Sequence, residues 1–198
     1  MSPRAFTEQE KGVIQKKLMD AAEDALSTTG IRKTTVEDLA KAAGISKGAF
    51  YLFYDSKELL FLDALEREQE RIHNTMIERI RERAIGPKVF TEVVGQMYRD
   101  FVAKPWLLAF AGEEYEILLR RIPPERIQRH IQMDDEASRR FLEALGRGTM
   151  VEPELLSASL RMLFMGILHR KEVGEEWADE AFTLMLMALA DRIFEEET

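Results

Sequence analysis

Apolar residues recur three and four positions apart from one end of this chain to the other, and no segment alternates apolar with polar residues. A chain patterned in this way packs helices on helices, so the expected class is all-α. Ile14, Leu18, Ala22, Ala25 and Leu26 form the first stripe. Thr7 and Glu10 stand at the spacing of a capping box, in which each side chain satisfies a backbone N–H at the other's position, and Gly30 supplies a stop. The first helix is therefore predicted from about Glu8 to Thr28.

Next comes a short, heavily punctuated segment. Thr34 and Thr35 precede an apolar spacing at Val36, Leu39, Ala40 and Ala43, and Gly44 closes it. After Gly44-Ile45, Ser46 can cap a second short helix from Lys47 to Phe53, and Asp55 with Glu58 offers a further capping box before a long helix that extends to about Arg83. Ala84-Ile85-Gly86-Pro87, Lys104-Pro105, Pro123-Pro124, Gly146-Arg147-Gly148, Pro153 and Val173-Gly174 divide the remainder, giving about nine helices in all. Two short helices joined by a glycine turn and packed on a preceding amphipathic helix form the helix-turn-helix plan, in which the second short helix enters the major groove of DNA. Gly44 suits a left-handed cap that a side chain would resist, and Leu39, Ile45 and Phe50 would set the angle between the two helices.

Charge first argues against such a partner, because the formal net charge is -8 and DNA binding needs clustered cations. The distribution of charge along the chain points the other way. Residues 1–57 hold nine Lys and Arg against eight Asp and Glu, whereas residues 58–198 hold 19 against 28. Any DNA contact therefore belongs to the first quarter of the chain. The expected division is a helix-turn-helix domain over 1–57, with the long helix from residue 56 linking it to a larger helical domain over 58–198.

The run Thr34-Thr35-Val36-Glu37-Asp38-Leu39-Ala40-Lys41-Ala42-Ala43-Gly44-Ile45-Ser46-Lys47-Gly48-Ala49-Phe50-Tyr51, followed by Ser56-Lys57-Glu58-Leu59-Leu60, resembles the N-terminal domain of the TetR family of bacterial transcriptional regulators. The resemblance covers roughly residues 10–62; beyond it only length and helical character agree. It implies a homodimer that binds palindromic double-stranded operator DNA through the N-terminal three-helix domain, and that a small molecule releases. Thr35 and Lys57 take the family's phosphate-contact positions, at the starts of the bracing helix and of the long helix, where the helix dipole favours an anion. Lys47, Gly48, Ala49 and Tyr51 lie on the reading helix and Ser46 at its cap, all as candidate DNA contacts; Lys47 is the candidate for a guanine edge, and Gly48 lets the backbone approach DNA. The family places a His or Tyr and then a Phe before the long helix. Here the order is Phe53 then Tyr54: either the helix end rotates so that Tyr54 takes the phosphate, which is the expectation, or that contact is missing and affinity is lower.

Met97, Phe101, Trp106, Phe110, Phe141, Met162, Met165 and His169 could line an effector pocket between helices, since such sites need apolar walls with a few polar groups. The same residues at helical spacing also serve as ordinary core. The segment 175–194 is apolar on more than one face and must bury against two things. It and the segment Pro153–Arg170 are expected to form the dimer contact, with Ala158, Gly166 and Ala188 permitting close approach and Leu155, Leu163, Leu184 and Leu189 filling it. His130 and Asp134 have metal-ligand spacing, but no feature supplies a third ligand even with Glu113 and Glu114 nearby, so a surface pair and no metal are expected.

No cofactor is called for. The chain has no cysteine, no phosphate-cradling glycine loop and no recognisable nucleophile–histidine–acid spacing, so an enzyme is not expected. The most apolar run, Leu155 to Leu168, is interrupted by Arg161 and falls short of the roughly 18 to 20 residues a membrane span needs. With no signal peptide evident, the expected location is cytoplasmic. A helical carrier or interaction module that retains the helix-turn-helix as scaffold is the alternative reading.

Overall fold

The computed structural model describes residues 6–81, 83, 86–103, 115–145 and 151–194. Among them there are eleven α-helices and no strand: α1 (Glu8–Thr28), α2 (Gly30–Lys33), α3 (Val36–Ala43), α4 (Lys47–Phe50), α5 (Lys57–Arg81), α6 (Pro87–Val102), α7 (Tyr115–Arg121), α8 (Pro124–Ala144), α9 (Pro153–Leu168), α10 (Arg170–Val173) and α11 (Ala178–Phe194), with a 3₁₀ turn at Glu175–Trp177. The all-α class holds, and the count exceeds nine because single-turn helices flank two of the glycines.

Local chemistry explains most boundaries. The Thr7–Glu10 capping box forms, with the Glu10 carboxylate accepting from the Thr7 N–H at 2.8 Å and the Thr7 hydroxyl accepting from the Glu10 N–H at 3.2 Å. Gly30 does not simply stop the chain: its φ of 76° turns the backbone into the single-turn α2, which buries Ile31. The expected Asp55–Glu58 box is replaced. Ser56, one residue later, caps α5 by accepting from the Leu59 N–H at 3.2 Å, while Glu58 turns inward to Arg121 at 3.4 Å. Proline opens α6, α8 and α9, where its missing N–H costs nothing.

The chain divides into two compact units, one of Met1–Glu68 with Glu113–Ile122, the other of Gln69–Gly112 with Pro123–Thr198. Helix α5 contributes residues to both. In the first unit, α1 packs on α3 and α3 on α4. Leu18, Ile31, Leu39 and Phe50 are fully buried there, each stabilising the unit by about 1.5–3 kcal/mol relative to exposure. Arg67 of α5 ties back to α1, donating to Glu23 at 2.7 Å and to Asp20 at 3.1 Å.

In the second unit α11 packs on α6, and α9 on both α8 and α11. Their core holds Phe90, Val94, Met97, Phe141, Leu156 and Phe182, with the Tyr98 and Phe182 rings stacked at 4.1 Å. A polar group sits beside it. Asp134, expected from the sequence to form a surface pair with His130, is instead buried; it accepts from Gln69 of α5 and lies 3.5 Å from Arg161 of α9. The buried neighbours Ala137, Ser138, Phe141 and Leu142 carry that face of α8 inward and take Asp134 with them. Burial raises its carboxyl pKa, against the lowering effect of His130 and Arg161.

Candidate nucleic-acid interface

The segment Thr34–Lys57 folds as the short-helix pair expected of it. Thr35 caps α3 in a second capping box: its hydroxyl accepts from the Asp38 N–H at 3.2 Å, and the Asp38 carboxylate accepts from the Thr35 N–H at 2.9 Å. Those bonds hold the Asp38 carboxyl below the usual carboxylate range. At the other end Gly44 adopts φ 76° and ψ 29°, and the Ile45 N–H donates back to the Ala40 carbonyl at 2.9 Å. A non-glycine residue would be strained at that φ. Ser46 then caps α4 by accepting from the Ala49 N–H at 3.1 Å.

Burial of Leu39 and Phe50 fixes which way α4 faces. Phe50 is fully buried and Ala49 half-buried, so the opposite arc carries Lys47, Gly48 and Tyr51 into solvent. Tyr51 is 48% exposed, its ring edge-on to Phe50 at 5.5 Å. A Cβ placed on Gly48 would meet no atom nearer than Ser46 Oγ at 4.0 Å, so the glycine leaves a notch in the outward face.

Tyr54 departs from expectation, and Phe53 and Lys57 have local partners of their own. Tyr54 does not reach outward: it is 7% exposed, its ring lies 6.1 Å from Phe50, and its hydroxyl donates to Met19 Sδ at 3.5 Å. The phosphate role expected of Tyr54 is therefore corrected. Burial, reinforced by the Asp63 carboxylate, pushes its phenol pKa up to about 12. Phe53, at the position where the resemblance places the polar ring, packs against Phe6 at 5.9 Å. Lys57 is spent locally, donating to the carbonyls of Ile31 at 2.7 Å and Thr34 at 2.6 Å and so closing the end of α2. Its charge still stands beside the start of α3.

Lys47 is exposed but paired. Its ammonium donates to Glu37 of α3 at 2.5 Å, which raises the lysine pKa and lowers that of the glutamate. Sequence spacing gives no sign of Glu37, ten residues away on another helix. Leu52, 74% exposed on the turn after α4, is equally hidden from it, because an apolar residue one turn from Lys47 reads as core.

The effector and dimer candidates separate by burial. Met97 and Phe141 lie in the core of the second unit, and Phe101 packs half-buried on Phe164 at 5.6 Å. Met162 at 77% exposure, Met165 at 38% and His169 face outward, so the structure does not bring them together with Met97 and Phe141. Trp106 and Phe110, like Glu113 and Glu114, lie outside the described residues. Of the dimer candidates, Leu155 at 60%, Leu184 at 70% and Ala188 are exposed; Ala158, Gly166 and Leu189 are half-buried. Leu163 is turned into the unit's own core. Among the described residues no three His, Asp or Glu side chains gather as a metal site, and no helix is long and apolar enough to cross a membrane.

Comparison with known proteins agrees with this geometry. Residues 18–64 match the family described as bacterial regulatory proteins, tetR family. The HTH-type transcriptional regulator YerO of Bacillus subtilis is 41% identical over 75 residues, covering 36% of this chain and 26% of YerO. The chain thus spans less than half the length of the first curated relatives it matches. Two crystal structures share the fold over nearly the whole chain. A TetR transcriptional regulator from Rhodococcus sp. RHA1 superposes with a TM-score of 0.63 at 18% identity, covering 91% of this chain and 97% of its own. The Thermus thermophilus transcriptional repressor FadR, in complex with lauroyl-CoA, gives 0.63 at 18% identity over 93% and 97%.

Proposed function

We propose that this chain, whose residues 18–64 match the family of bacterial regulatory proteins, tetR family, is a member of that family and a ligand-responsive transcriptional regulator that holds a palindromic operator as a homodimer and is released by a small molecule. One observation carries the reading: Leu39 and Phe50 are buried beneath α3 and α4 so that Lys47, Gly48 and Tyr51 stand outward on the second helix of a helix-turn-helix. An exposed helix of this kind fits the major groove, and Thr35 at the start of α3 and Lys57 at the start of α5 sit where phosphates would flank it. Residues 1–57 would do the reading, and 58–198 would hold the effector and the second subunit.

The dimer is supported by apolar surface that a soluble unit rarely leaves open. Leu155 and Met162 on α9, with Leu184, Met185 and Met187 on α11, are each at least half exposed, and a second copy related by a twofold axis would cover them. Such a dimer places its reading helices about 34 to 36 Å apart when engaged. Effector binding would favour a spacing that no longer fits, acting along α5. The Thermus regulator of this fold holds lauroyl-CoA; here the effector is a small molecule of the second unit.

The test is a mobility shift of palindromic duplexes drawn from the DNA beside the chain's own gene. Lys47→Ala and Tyr51→Ala are expected to abolish the shift while leaving a folded dimer. Full affinity in both variants would overturn the assignment.

A further inference from the structure

Leu52 stands 74% exposed on the turn that continues α4, immediately after the exposed Tyr51. The chain stays helically wound there, with the N–H groups of Leu52 and Phe53 donating to the carbonyls of Ala49 at 3.1 Å and Phe50 at 2.9 Å. Leu52 follows Gly48 by four positions and so shares its face, just as Tyr51 shares that of Lys47. Gly48 has no side chain, and a Cβ built there would meet only Ser46 Oγ at 4.0 Å. A surface that approaches α4 closely enough to use this notch must also meet Leu52.

The polar resources of that arc are few. Lys47 is its cation and already pairs with Glu37 at 2.5 Å; Phe53, next along, is half-buried against Phe6. An isobutyl group set against phosphate would strip water from an anion and return no hydrogen bond, which is unfavourable. The apolar feature that the major groove offers is the C5-methyl group of thymine. Resting on the regulator reading, we infer that Leu52 is a specificity-determining residue that packs on a thymine methyl in each half-site, so that the operator requires T at the base pair beneath the end of α4.

Deoxyuridine tests this, because it removes the methyl and keeps every base-pairing group. Duplexes enriched by the full-length protein from a random palindromic pool are resynthesised with each symmetry-related pair of thymines replaced by uracil, and binding is measured by fluorescence anisotropy for the wild type and Leu52→Ala. Leu52 is exposed, so its truncation leaves the fold intact, which circular dichroism checks. At one thymine pair, uracil is expected to weaken the wild type about fourfold for each half-site. Leu52→Ala should bind the thymine duplex more weakly by a similar factor and be indifferent to uracil there. A flat uracil scan in the wild type, or the same uracil penalty in Leu52→Ala, overturns the inference while leaving the regulator reading standing. Failure to enrich any duplex overturns both.

Discussion

His73 sits on α5, mostly withdrawn from solvent; burial, then the guanidinium of Arg140, then His130 lower its pKa from 6.5 to about 4. In the unfolded chain the imidazole titrates near 6.5. Between those two values the unfolded state binds a proton that the folded state refuses, so stability falls as pH is lowered through the window and is complete above it. A shift of this size corresponds to about 3 kcal/mol in full, of which about 2 kcal/mol is lost between pH 7 and pH 5. Against the 5–15 kcal/mol of a typical domain that is a large share. His73→Gln removes the titrating group, and urea unfolding at pH 7, 6 and 5 should show the variant losing about 2 kcal/mol less than the wild type over that range. Protein concentration must be held constant, since the proposed dimer would add a mass-action contribution. Asp134, whose carboxyl pKa is raised by burial, titrates in both proteins and cancels in the difference. Parallel loss of stability in the two proteins would refute the claim that His73 is held neutral by its surroundings.

Three further outcomes follow from particular contacts. Glu37→Gln releases the Lys47 ammonium from its 2.5 Å partner, so affinity for duplexes of any sequence should rise and the salt dependence steepen, whereas Lys47→Ala, which removes the operator shift, should lower the log–log salt slope of the remaining non-specific binding by about one, both read by anisotropy titration across 50 to 200 mM salt. Gly44→Ala should cost about 1–2 kcal/mol in urea unfolding; a Cβ there meets nothing within 4 Å, so the penalty comes from φ 76°, and Gly44→Asn should cost less. Met162→Glu combined with Leu184→Glu, both on exposed surface, should shift sedimentation from dimer to monomer and weaken operator binding without altering the circular dichroism.

Where a boundary rests on chemistry between near neighbours, the sequence is enough to place it. Thr7 with Glu10 locates α1 at Glu8–Thr28, and Gly44 locates the turn of the helix pair. Ser56 takes the cap expected of Asp55 because the two candidates are adjacent and the inward turn of Glu58 toward Arg121, 63 residues away, decides between them. Tyr54 departs from expectation for a similar reason: its outward or inward orientation depends on Met19 and Phe50, not on the residues beside it. In α9 the run from Leu155 to Leu168 is apolar nearly all round. Periodicity then cannot say that Leu163 faces the core while Met162 faces out; that choice belongs to the packing of α8 and α11.

Amide hydrogen exchange of the full-length protein, with and without an operator duplex selected by the protein itself, locates the DNA-contacting surface without presuming any side-chain role. Slowed exchange is expected in peptides spanning Thr34 to Lys57, greatest at α4 and at the start of α3, with no comparable gain across α6 or α8. Unchanged exchange over that span under saturating duplex, or protection confined to the second unit, would contradict the placement of DNA on α3 and α4.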